Sequence, residues 1–164
     1  MVTRAVALAP LADDELPELI DRMVAFGKSA ATSNEAAMRL RSDLHARLPN
    51  ALATPCHELF TVRDSDGDAR VGAMWIEHRV EDGLSVSMIL YLEIDPEKRR
   101  MGFGRAAVVA AEGLAAKAGD RELRLVVAAE NSPARLLYES LDFCTKSLLM
   151  TKPIHGDATP FQGD

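Results

Sequence analysis

The apolar run Leu84–Ile94 is stopped by Pro96. It leads through a loop of basic residues and glycines into an alanine-rich stretch that Gly119 closes, and a second apolar run, Glu122–Ala128, follows. This strand–helix–strand order constrains the fold more than any other segment. The helix spans about Gly102 to Ala118, with Gly119 where left-handed backbone ends a helix. A connection of that length is a crossover and not a hairpin, so the two strands should lie parallel in one sheet.

The remaining elements arrange themselves around this unit. Val2–Leu8 reads as a short strand broken at Pro10, and Asp13 and Asp14 offer a cap for a helix over Asp14–Gly27. Leu16, Leu19, Ile20, Met23 and Val24 recur there at helical spacing. After a polar stretch, Lys28–Asn34, a second helix over Glu35–Leu48 carries Ala37, Leu40, Leu44 and Leu48 on one stripe and ends at Pro49. Leu59–Val62 and Val71–Glu77 form a hairpin around Asp64-Ser65-Asp66-Gly67-Asp68, and Asp82-Gly83 turns the chain again. Asn131 or Ser132 caps a last helix with Ala134, Leu137, Tyr138 and Leu141 on one face. Cys144–Lys152 reads as a final strand, and the tail from Pro153 as loose. The order β-α-α-β-β-β-α-β-α-β predicts one α/β domain over residues 1–152, with a mixed sheet and helices packed on its faces.

Bulk properties exclude several classes. A length of 164 residues suits one domain, and a net charge of −6 disfavours nonspecific nucleic-acid or anionic-membrane binding. Such a charge is mildly compatible with a cationic amine as substrate. The start Met1–Val6 lacks the apolar region of a signal peptide, and no run approaches the roughly 20 residues of a membrane span. The expected location is therefore cytoplasmic. Cys56 and Cys144 form no CxxC pattern and read as small buried hydrophobes. Met23, Met38, Met74, Met88 and Met150 read as core, and Trp75 as packed under the sheet or lining a cleft. His45, His57, His78 and His155 have no metal-ligand spacing, and the Asp64–Asp68 cluster lacks the glycine and glutamate of an EF-hand, so no metal is expected.

The loop after Pro96 is the first candidate site. A helix N-terminus offers unpaired N–H groups and partial positive charge, and Gly102 and Gly104 would let an anion approach them. Lys98, Arg99, Arg100 and Arg105 add charge, which makes a phosphate cradle. A basic, solvated turn explains the same residues equally well. The loop lacks GxxxxGK[ST], and its late position does not suit a Rossmann fingerprint.

The segment Ile94-Asp95-Pro96-Glu97-Lys98-Arg99-Arg100-Met101-Gly102-Phe103-Gly104-Arg105 resembles the central motif of the GNAT superfamily of N-acetyltransferases. There an apolar strand end and Pro lead to (Gln/Arg)-x-x-Gly-x-(Gly/Ala) and a helix. Arg99, Gly102 and Gly104 match, while Arg100 stands where many members have Gly. A second element, Asn131-Ser132-Pro133-Ala134-Arg135-Leu136-Leu137-Tyr138-Glu139-Ser140-Leu141-Asp142-Phe143, is similar to the family pattern N-x-x-A-x-x-L-Y-E-x-L-G-F, with Asp142 replacing Gly. The match covers about residues 84–152; the first seventy residues agree in element order only.

The resemblance implies the GNAT fold, mostly antiparallel with one splayed parallel strand pair, and acetyl-CoA as donor. Backbone groups of Leu92 and Ile94 would meet the pantetheine amides. Arg99, Arg100, Met101, Gly102, Phe103, Gly104 and Arg105 would bind the pyrophosphate, and Asn131 would contact the pantetheine arm or fix the splay. Tyr138 would protonate the departing thiolate, although periodicity alone also allows a core aromatic. Glu93, on the same strand parity as Tyr91 and opposite Leu92 and Ile94, is the candidate base, with Glu77 and His78 weaker ones. The acceptor would be an amine-bearing small molecule or peptide attacking the thioester directly. A longer acyl donor and a non-catalytic CoA- or partner-binding domain remain open from sequence, and edge strands in this fold often pair into homodimers.

Overall fold

The computed structural model describes residues 4–28 and 34–152. A five-stranded sheet in the order β1-β2-β3-β4-β5 forms its centre: β1 is Val6–Pro10, β2 His57–Asp64, β3 Arg70–Glu81, β4 Leu84–Ile94 and β5 Glu122–Leu125. The first three pairings are antiparallel, and β4–β5 is parallel, as the crossover requires. Among the described residues, no helix is long and apolar enough to cross a membrane.

Strand alternation sends side chains to two helical layers. On one face, α1 (Leu16–Lys28) and α2 (Asn34–Arg47) cover Leu59, Ala73, Trp75 and Tyr91 with Leu19, Met23 and Leu44. On the other, α3 (Phe103–Ala118) lays Phe103, Ala107 and Ala111 on Phe60, Val62, Met74, Ile76 and Ile89. The alanines let α3 lie close to the sheet. Left-handed glycines bound it, Gly102 at φ 92° and Gly119 at φ 80°. The cap of α1 differs from the expected aspartates: a 3-10 turn, Asp13–Glu15, precedes it, and Glu15 accepts from the Ala12 amide at 3.0 Å.

Several expectations need correction. Residues 144–152 form no strand, and β5 stops at Leu125 instead of Ala128. Leu148, Leu149 and Met150 are exposed, as is Met38 on the outer face of α2. Cys56 and Cys144 are both exposed free thiols, Cys56 because it occupies a turn with φ 63°. Trp75 is packed under the sheet, 2% exposed, with its indole donating to His57 Nδ1 at 3.0 Å. The start of the predicted first strand, the middle of the polar stretch after α1, His155 and the tail from Pro153 lie outside the described residues.

Candidate functional site

A cleft opens where β4 and β5 part. The two strands pair only from Val86–Glu122 to Ile89–Leu125, after which β4 continues to Ile94 and the chain beyond Leu125 leaves the sheet. β4 also carries one extra residue against β3, since Trp75 pairs with Tyr91 and Ile76 with Ile89, leaving Leu90 unmatched. Asp95 donates its amide to Val71 O at 2.9 Å. By alternation, Glu93 also points its peptide groups at β3, whereas those of Leu92 and Ile94 point into the cleft. Gly72 permits this close pairing, because a Cβ there would lie 2.1 Å from Glu93 O.

The loop after β4 runs along one end of this cleft. Pro96–Lys98 form a 3-10 turn; Arg100 then takes φ 63° and Gly102 φ 92°. The first helical bond of α3 is Ala106 N to Gly102 O at 3.1 Å. The amides of Gly102, Phe103, Gly104 and Arg105 therefore donate to no acceptor among the described residues, at the positive end of a 16-residue helix. The side chains divide the work. Phe103 is buried and anchors the turn, with Arg4 stacked 5.2 Å over its ring. Arg99 folds back to donate from Nε to Ile94 O at 2.9 Å. Met101 is exposed, and Arg100 makes no ion pair among the described residues.

The last helix, α4 (Ser132–Glu139), packs at the start of α3. Asn131 is its N-cap, its Oδ1 accepting from Ala134 N at 3.3 Å. Leu137 packs at the start of α3: a Cβ on Gly104 would lie 3.4 Å from its Cδ2 and 3.9 Å from Ile94 Cγ1. Gly104 thus marks where β4, α3 and α4 meet. Tyr138, the next residue, is half-buried and packs on Phe143, ring centroids 5.7 Å apart. Its hydroxyl bonds to no described residue, and burial raises its pKa, so it stays a neutral phenol near neutral pH.

Glu93 lies on the α1 face of β4, opposite Leu92 and Ile94, as its parity predicts. It is heavily engaged. Arg22 donates from Nε to Glu93 Oε2 at 3.0 Å, Tyr91 OH donates to the same oxygen at 2.5 Å, and Arg99 Nη2 stands 3.9 Å from Oε1. Sequence reasoning missed Arg22. Helical spacing marks it only as a polar neighbour of Met23, and its partners lie 71 and 73 residues away.

Glu77 and His78 sit apart from this cleft. Glu77 pairs with Arg79. His78 bonds Asp120 Oδ2 at 2.7 Å and Glu58 Oε2 at 2.8 Å, near the opposite end of the strand pair. Buried Ser87 donates to the same Asp120 oxygen at 2.6 Å. Among the described residues, no group of three or more His, Cys, Asp or Glu is placed to hold a metal ion.

A model of the acetyltransferase (GNAT) family matches residues 20–143. The chain is 32% identical over 107 residues to an uncharacterized N-acetyltransferase, YycN, of Bacillus subtilis, covering 65% of this chain and 68% of that one. It is also 32% identical over 139 residues to a mycothiol acetyltransferase of Clavibacter sepedonicus, covering 84% of this chain but only 42% of that protein. The crystal structure of the Bacillus subtilis YycN protein, a putative acetyltransferase, superposes with a TM-score of 0.82 at 25% identity over 93% of this chain and all of that one. A putative acetyltransferase from Pyrococcus furiosus shares the fold at a TM-score of 0.72. The chain belongs to the GNAT family and is an N-acetyltransferase that takes its acetyl group from acetyl-CoA.

Proposed function

We propose that the cleft between β4 and β5 holds acetyl-CoA and that a primary amine attacks its thioester directly, with Tyr138 as general acid. The observation that carries this reading is the run of unpaired amides from Gly102 to Arg105, set at a helix N-terminus beside Ile94, at the far end of the stretch of β4 that β5 leaves unpaired. Such donors suit a pyrophosphate, with Arg100 adding charge. The cleft-facing peptide groups of Leu92 and Ile94 suit the amides of the pantetheine arm. Arg99 and Arg105 then shape the cradle more than they touch phosphate, since both are bonded to the protein itself. Asn131 holds the start of α4 through its cap bond and leaves its side-chain NH2 free to meet the pantetheine arm.

The thioester supplies an activated acetyl group. As the amine's nitrogen forms the new C–N bond, the C–S bond breaks. The Tyr138 phenol then gives its proton to the leaving sulfur and recovers one from water. Each proton is accounted for if the amine releases its own to solvent. For Glu93 to take that proton, it would have to give up bonds to Arg22 and Tyr91. We therefore assign the proton to water and Glu93 to the ion-pair network. The net charge of −6 favours cationic acceptors such as polyamines, aminoglycosides or lysine-like amines. The relatives named mycothiol acetyltransferase add a mycothiol-type acceptor to that panel.

Calorimetry with acetyl-CoA on the wild type, Gly104→Ala and Gly104→Asp tests the cradle. Alanine meets only ordinary contacts and should bind as the wild type, while aspartate brings a carboxylate to the first turn of α3, beside the unpaired amides, where it would repel a pyrophosphate, and should abolish binding. Equal affinity in all three would place the donor elsewhere. Thiol release across the amine panel then identifies the acceptor.

A further inference from the structure

From Leu90 to Ile94, β4 has a strand neighbour on one side only, because its pairing with β5 ends at Ile89. A half-edge of this kind lacks the second ladder that keeps a central strand rigid. Here α1 supplies the missing restraint. Arg22 donates from Nε to Glu93 Oε2 at 3.0 Å and from Nη2 to Asp95 Oδ1 at 2.5 Å, with Nη2 also 2.8 Å from Glu93 Oε2. The three side chains are 19%, 16% and 17% exposed, so the pairing is screened far less than a surface ion pair. Burial works against the charge of Arg22, but the two carboxylates outweigh it and raise its pKa, which keeps the guanidinium cationic. The edge of the Phe26 ring against Tyr91, at 6.0 Å, packs beside the same cluster.

Glu93 and Asp95 alternate with Leu92 and Ile94. Gripping the first two on the α1 face therefore sets the rotation of the strand, and with it the direction in which the other two aim their peptide groups. We infer that Arg22 is a positioning residue for the donor: it holds the one-sided end of β4 so that Leu92 and Ile94 meet the pantetheine arm in register. This inference rests on the proposed placing of acetyl-CoA in the β4–β5 cleft. It also requires a fork, since lysine offers one point charge and cannot bridge the two carboxylates in the same way.

The test compares two ligands by calorimetry on the full chain: acetyl-CoA, and ADP, which carries a pyrophosphate but no pantetheine arm. Arg22→Lys should weaken acetyl-CoA about fivefold and Arg22→Met about thirtyfold, while ADP affinity holds within about twofold in both. Arg41→Met, which breaks an exposed contact between α2 and Asp21 of α1, should leave both affinities unchanged. Should Arg22→Met fail to fold, Arg22→Lys still decides, because it keeps the charge and loses only the span. Unchanged acetyl-CoA affinity in Arg22→Lys, equal losses for the two ligands, or an equal loss in Arg41→Met would each overturn the inference. ADP binding that ignores Gly104→Asp would instead overturn the donor site itself.

Discussion

Arg105, on the first turn of α3, donates from Nη2 to both oxygens of Ser140 at the end of α4, 3.2 Å to the carbonyl and 2.6 Å to the hydroxyl. The helix that presents the unpaired amides is thereby tied to the helix that carries Tyr138. Ser140→Ala removes the hydroxyl half of this tie at an exposed site. Turnover should fall by about two- to threefold, a cost near that of one exposed hydrogen bond, while acetyl-CoA affinity holds. Steady-state kinetics beside calorimetry reads the split; an unchanged kcat would mean that the tie does not align Tyr138.

Tyr138→Phe keeps the ring on Phe143 and deletes the hydroxyl proposed as the proton donor. With chemistry rate-limiting, kcat should drop by about a hundredfold with little change in donor affinity. The phenol must be protonated to act, so wild-type activity should fall as pH rises through its pKa. Burial places that pKa above the ordinary tyrosine value of about 10. The alkaline limb should vanish from the kcat–pH profile of the variant, and its persistence would remove Tyr138 from the mechanism.

The His78–Asp120 bond predicts a pH window for stability. Burial alone would lower the pKa of His78, but bonds to Asp120 and Glu58 and their charges raise it overall. Its contribution is complete below the unfolded value of about 6.5 and is lost as pH rises through the folded value. Burial acts to raise the pKa of Asp120, but the bonds to Ser87 and His78 lower it overall. Its share is present above about pH 4 and is lost as pH falls through the folded value. His78→Gln should therefore cost most in melting temperature between about pH 4 and 6.5, and progressively less toward alkaline pH. A pH-independent difference in thermal unfolding would contradict this.

Asp142 and Arg100 occupy the two positions where the family pattern favours glycine, and both have left-handed backbone, φ 64° and 63°. The pattern's glycines are thus conformational requirements, and here side chains carry the strain. Asp142→Gly should raise stability by up to about 1 kcal/mol, and Asp142→Val should lower it by more than that amount, because a β-branched residue tolerates this region worst. Chemical denaturation midpoints at constant m-value measure both.

Much of the site was readable in local order. The Leu84–Ile94 strand, the Gly102 and Gly119 boundaries of α3 and the parity of Glu93 against Leu92 all follow from spacing and turn chemistry, and the structure agrees on each; of the two cap candidates, Asn131 and Ser132, it selects Asn131. The strand expected over Cys144–Lys152 did not follow, because a strand exists only where a neighbour accepts its hydrogen bonds, and periodicity does not reveal neighbours. Cys56, Cys144, Met38 and Met150 were misplaced for a related reason: composition ranks residues by average burial, while exposure is set by which face or turn each occupies.

Motif order alone was enough to specify the family and its donor, since the motifs depend on backbone conformations written into a few consecutive residues. The opening of the cleft at Ile89 and Leu125, the meeting of Gly104 with Leu137 and Ile94, and the grip of Arg22 on Glu93 and Asp95 belong to the folded chain. Each joins segments far apart in sequence, and packing of the helices on the sheet brings them within reach. A contact of that kind has no local signature, because neither partner's spacing records the other.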